Sequence, residues 1–104
     1  MRAILMSVAL ATASIPHHAK ADFYDGNELF SHCIGETYSE RSRCQGYVAG
    51  VWDSSDFDKV CPAPNVRLGQ IVDVVKNYLR DRPEDRHFAA ESLAVAAFEK
   101  AFCQ

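Results

Sequence analysis

Residues 65–83 read NVRLGQIVDVVKNYLRDRP, and the spacing of their apolar side chains decides the class of fold. Leu68, Ile71, Val72, Val75, Tyr78 and Leu79 recur at helical intervals, forming one stripe along an α-helix. Asp73, Lys76 and Arg80 lie on the opposite side. Asn65 is a suitable N-cap, because its side-chain oxygen can accept from an unpaired backbone N–H. Pro83 ends the helix, since a residue that precedes proline is pushed out of the α region. Such a helix must bury its stripe against other elements, and the flanking sequence offers helices.

Upstream, Asp25 and Glu28 form an acidic variant of the capping box, followed by Leu29, Phe30 and Cys33. That first helix is short, with Gly35 placed as its C-terminal cap. A second helix begins between Ser39 and Ser42 and carries Cys44, Tyr47, Val48, Val51 and Trp52 at helical spacing. Gly46 and Gly50 leave one of its faces bare. Glycine costs a helix about 1 kcal/mol relative to alanine, so this face predicts a closely approaching helix. Residues 53–56 end the segment, and Cys61-Pro62-Ala63-Pro64 reads as a rigid connector.

Downstream, Pro83 is expected as the first residue of a fourth helix, with Glu84 and Asp85 favourably placed in its first turn. Residues 88–102 are apolar over most of the helical circumference, interrupted by Glu91, Ser92, Glu99 and Lys100. A helix apolar all round needs cover on more than one side. The expectation is therefore a homodimer whose interface includes Gly46, Gly50, Val95 and Phe98. The fold class is all-α: a small bundle of about four helices stapled by two disulfides.

Residues 1–21 read as a secretory signal peptide. Arg2 supplies the positive start, residues 4–11 an apolar stretch, and Ala19-Lys20-Ala21 a small-residue cleavage site. Residues 22–104 then form one exported, periplasmic domain with no membrane attachment after signal removal. Four cysteines in an oxidising compartment read as two disulfides, and the absence of any C-x-x-C argues against a zinc ribbon or a redox site. Three pairings are possible. The tight turn near Pro83 makes the third and fourth helices antiparallel, which returns Cys103 to Cys61. Cys33 and Cys44 bracket the first interhelical loop. The expected bridges are Cys33–Cys44 and Cys61–Cys103.

Charge and chemistry narrow the function by exclusion. The full chain carries 11 Lys and Arg against 14 Asp and Glu; without Arg2 and Lys20 the formal charge is −5. An acidic domain meets phosphate with repulsion, so no nucleic-acid partner is expected. After the signal only His32 and His87 remain. His32 neighbours Cys33, but consecutive helical side chains diverge by about 100° and make no thiolate–imidazolium pair. Asp53, Asp56 and Asp58 lack the glycine and glutamate of a calcium loop, and no phosphate-binding glycine motif occurs. The chain is read as a non-enzyme with no catalytic, metal or cofactor residues. Tyr47, Trp52 and Tyr78 read as core. Arg80, Arg82, Arg86 and His87, interleaved with Asp81, Glu84 and Asp85, read as a salt-bridged corner.

Several of these segments together resemble one family. Gly26-Asn27 with Leu29, the stretch CQGYVAGVWD at 44–53, Cys61-Pro62, Gln70, Tyr78-Leu79, PEDRH at 83–87 and Phe102-Cys103 are similar to the Rap/Tai immunity proteins of type VI secretion. Arg67 stands where that family usually has a threonine cap, and the proline common before the last cysteine is missing. The resemblance implies a small, all-helical, disulfide-bonded periplasmic dimer that binds and blocks a peptidoglycan amidase delivered by type VI secretion. The matching residues are scaffold, so it names no effector-contact residue. A second reading from the same composition is a periplasmic stress or chaperone-like protein without an amidase target.

Overall fold

The computed structural model describes residues 23–55, 61, 63 and 65–103. The segment read as a signal peptide lies outside these residues, as do Asp56, Asp58, Pro62 and Pro64. Four α-helices follow in order: α1 (Gly26–Cys33), α2 (Tyr38–Ser54), α3 (Leu68–Asp81) and α4 (Ala90–Phe102), with a single 3-10 turn at Pro83–Asp85 between the last two. The bundle is all-α, as the periodicity predicts.

Local chemistry sets each start. The Asp25 carboxylate accepts from the Glu28 N–H at 2.8 Å, the expected cap of α1. For α2 the cap is Thr37, whose hydroxyl accepts from the Glu40 N–H at 3.1 Å, so the helix begins before Ser39. Asn65 does not cap α3. It occupies the left-handed region at φ 65°, and Arg67 is the N-cap. The Arg67 side chain cannot accept; instead Gln70 Oε1 reaches back to the Arg67 N–H at 2.9 Å. Gly35 is not a left-handed cap either. A methyl group there would collide with Glu40, so the glycine serves close approach of α2 to the loop.

The fourth helix differs most from expectation. It starts at Ala90, because the backbone before it is already engaged elsewhere. Gly26 N donates to Phe88 O at 2.9 Å, Asn27 N to Arg86 O at 2.9 Å, and Ala90 N to Tyr24 O at 3.1 Å. Asp25 and Ala89 thus form an isolated antiparallel bridge. Groups spent on this bridge cannot build a helical turn, and Pro83 opens a 3-10 turn instead.

Leu29, Val48, Val75, Leu79 and Phe98 are fully buried at the centre, with Ile71 and Leu93 beside them. From the α3 stripe, Ile71, Val75 and Leu79 enter the core, Val72 and Tyr78 are half-buried, and Leu68 stays 45% exposed. Trp52 stands edge-on to Phe98 and Phe102, at 4.9 and 5.5 Å between ring centres. The bridges are Cys33–Cys44 and Cys61–Cys103, with Cα separations of 4.9 and 5.0 Å. They close loops of 11 and 42 residues, worth about 3 and 4 kcal/mol respectively on the chain-entropy model.

Candidate functional site

Two surfaces stand out on the bundle, and neither contains a catalytic arrangement. The first is an open groove of about 300 Å³ between the N-terminal halves of α2 and α3. The Cys33–Cys44 bridge contributes to its lining. Arg41 and Gln45 contribute from α2; Leu68, Gly69, Val72 and Lys76 from α3. Arg41 is held in place by one guanidinium nitrogen, which donates to the Glu36 carbonyl at 2.7 Å. Across the groove Lys76 lies 3.5 Å from Asp73 in an i,i+3 pair. The groove thus combines a disulfide in its lining, an exposed leucine, two cations and the carboxylate of Asp73.

The second surface is the corner between α3 and α4. Here the structure revises the reading of a salt-bridged cluster. Arg82 does pair with Asp85, at 3.8 Å, and lies over the Tyr78 ring. Arg86 does something else. Its Nε donates to Leu79 O at 2.7 Å and its Nη2 to Arg80 O at 3.2 Å, filling carbonyls that the end of α3 leaves open. The same guanidinium lies 4.1 Å from the Phe30 ring centre, tying α1 to this corner. Phe88 is half exposed there and packs against His87 at 4.2 Å.

The residues expected at a dimer interface divide. Phe98 is fully buried within its own bundle and cannot face a second copy. Gly46 and Gly50 are exposed, and a Cβ at either would meet nothing within 4 Å, so none of the described helices passes close to that face. Val95 is half-buried on the outer side of α4, between exposed Glu91 and Glu99. Tyr47, Trp52 and Tyr78 are half-buried and pack against the core.

Among the described residues the histidines and aspartates do not gather into one site. His32 packs edge-on to Tyr24 at 5.2 Å, and its Nδ1 is buried without a hydrogen-bond partner. Cys33 beside it is consumed by the disulfide. Among the described residues no three His, Cys, Asp or Glu side chains gather as a metal site would require. The groove residues were missed in sequence because Leu68 continues the α3 stripe and so reads as core. Its place in the first turn, one residue after the cap, is the signal that it lies at the edge.

Comparison with known proteins gives one result. The family model of Rap1a immunity proteins matches residues 25–103, which is nearly all of the described fold. No curated protein and no solved structure gives a significant match. The chain belongs to the Rap1a immunity proteins.

Proposed function

We propose that this protein is a periplasmic immunity protein that binds and occludes a peptidoglycan amidase delivered by type VI secretion. Residues 1–21 direct export and are removed; residues 22–104 are the active domain. The observation that carries the reading is the family match across residues 25–103. It is supported by two disulfides, which belong to an oxidising compartment. It is also supported by the sequence pattern of a cleavable leader. The protein acts by surface complementarity and not by chemistry of its own. It functions as a homodimer, with the outer strip of α4 around Val95 at the contact.

The test is protection. Periplasm-directed amidases of type VI systems, with and without this protein, are expressed in a sensitive bacterium and lysis is followed. The expected result is survival against at least one amidase, accompanied by a stable complex of the purified pair. Lysis that proceeds unchanged against every such amidase, with no complex, would remove the proposal.

A further inference from the structure

We propose that the Cys61–Cys103 bridge is a site of thiol–disulfide exchange, opened by an external dithiol while the Cys33–Cys44 bridge stays closed. This property belongs to the fold and is independent of the immunity reading above.

The two bridges differ in access. Cys33 and Cys44 are 7% and 1% exposed, and both belong to the core cluster. They line the groove between α2 and α3, yet offer almost no area for a reagent to reach. In the other bridge Cys61 is buried, whereas Cys103 is exposed. Cys103 is the C-cap of α4, one position past the last helical residue, and so stands outside the helical turns. Exchange needs a thiolate to approach one sulfur of the pair, and its rate depends on which sulfur can be reached. Exposed bridges are accordingly the labile ones.

The incoming thiolate attacks Cys103 Sγ and forms a mixed disulfide with it. The bond between Cys61 and Cys103 breaks, and its electron pair leaves on Cys61 Sγ, which takes a proton from water. The second thiol of the reagent, as thiolate, then attacks its own sulfur in the mixed bond and releases Cys103. The dithiol ends as a disulfide, and the protein ends with two thiols, having gained two electrons and two protons.

Opening this bridge leaves the core in place. Helix α4 is held by Leu93, Ala94, Ala97 and Phe98, all buried, and by Trp52 standing edge-on to Phe98 and Phe102. None of these contacts passes through sulfur. What is lost is the link between the connector at Cys61 and the end of α4, which closes 42 residues against 11 for the shielded bridge. A longer closed loop restricts the unfolded chain more. The exposed bridge is therefore also the one whose opening lowers stability more. The result is a redox-sensitive catch: a folded two-thiol form that melts earlier than the oxidised one.

The experiment incubates the mature protein with dithiothreitol at neutral pH, well below its melting temperature. Free thiols are alkylated at intervals and located by peptide mass mapping. Cys61 and Cys103 are expected to be labelled at least about tenfold faster than Cys33 and Cys44. The two-thiol form should keep the helical circular dichroism of the parent and melt at least about 15 °C lower. With glutathione as a monothiol probe, the first mixed disulfide is expected on Cys103. A parallel arm uses reduced thioredoxin, a protein dithiol; reaction in both arms supports the site, and reaction with dithiothreitol alone limits it to small dithiols. Labelling of Cys33 and Cys44 first, or of all four cysteines at one rate as the helices melt, would overturn the proposal. So would a first glutathione adduct on Cys61, or bridges that both resist until the protein unfolds. Cys61→Ser with Cys103→Ser supplies the opened form without reagent, and a double variant lacking helical signal would refute the claim that the core survives.

Discussion

Gly26 is the position where one added methyl group should do the most damage. It opens α1 with its N–H donating to Phe88 O, inside the backbone pairing that joins residues 24–27 to 86–90. A Cβ at this position would stand 2.8 Å from Arg86 O and 2.9 Å from Arg86 Cα, and would also collide with Leu93 Cδ1. Two of those three atoms are backbone and cannot swing away. Relief therefore requires the corner to retreat, stretching the Gly26–Phe88, Asn27–Arg86 and Tyr24–Ala90 hydrogen bonds together. Overpacking a tight contact costs about 1–3 kcal/mol. Partial loss of buried backbone hydrogen bonds adds about 1 kcal/mol for each one broken. Against this, alanine recovers at most about 1 kcal/mol of helix propensity.

The net expectation for Gly26→Ala is a loss of about 2–3 kcal/mol, or about 10–20 °C in melting temperature for a domain this size. Urea and thermal unfolding with the disulfides intact measure it. The control is built into the same chain. Gly46→Ala and Gly50→Ala fill open space in α2 and should each stabilise by about 0.5–1 kcal/mol. The sign of the effect is thus set by the surroundings of each glycine and not by its residue type. A Gly26→Ala protein as stable as the parent would show that α1 and the corner are not locked together as described.

Arg86→Lys should cost about 1.5–3 kcal/mol, because an ammonium on a flexible stem cannot serve Leu79 O and Arg80 O together while lying flat over Phe30. Chemical denaturation checks this, and a loss below about 0.5 kcal/mol would contradict the capping role. Replacing Cys61 and Cys103 together by serine should cost about 4 kcal/mol, against about 3 for Cys33 with Cys44, if the closed loop length dominates. The reverse ranking in unfolding experiments would instead place the greater value on the shorter bridge. Val95→Asp should turn the proposed dimer into a monomer by sedimentation at tens of micromolar, about the range where a typical two-fold interface is occupied; persistence of the dimer would exclude the outer strip of α4 as its contact.

Much of the fold is written locally and could be read that way. The α3 stripe, the Asp25 cap and the two disulfides all follow from spacing or from one tight turn, since each depends on residues near in sequence or on a forced antiparallel return. What escaped was non-local. Nothing in the composition of residues 83–89 announces that their carbonyls and N–H groups pair with residues 24–27, so proline at 83 reads as a helix start when it opens a 3-10 turn. Arg86 was equally opaque. Among alternating charges an arginine reads as half of an ion pair, and only the arrangement of α3 and α1 around it reveals two carbonyls and a ring. For α2, Ser39 and Ser42 offered competing caps. The pairing of Thr37 with Glu40 three residues on is the capping-box signature that separates them.

The glycines and alanines changed roles between sequence and structure, and this bears on assembly. Close helix approach was expected at Gly46 and Gly50, whereas the structure puts it at α4, where Ala90, Ala94 and Ala97 are buried together with Leu93 and Phe98. Small side chains on that arc let α4 sit deep against its neighbours, so its apolar face is covered from within the bundle. The outward arc holds Glu91, Ser92, Val95, Ala96, Glu99 and Lys100. Only Val95 and Ala96 on it are apolar, and both are half-buried already. A two-fold contact through this strip would set Glu91 and Glu99 of each copy near those of the other, with Lys100 as the only cation on the arc. Such an interface works against like charges. It should therefore tighten as salt rises and the screening length falls from about 10 Å at 0.1 M toward about 3 Å at 1 M, and a dimer that instead dissociates with salt would exclude this strip as its contact.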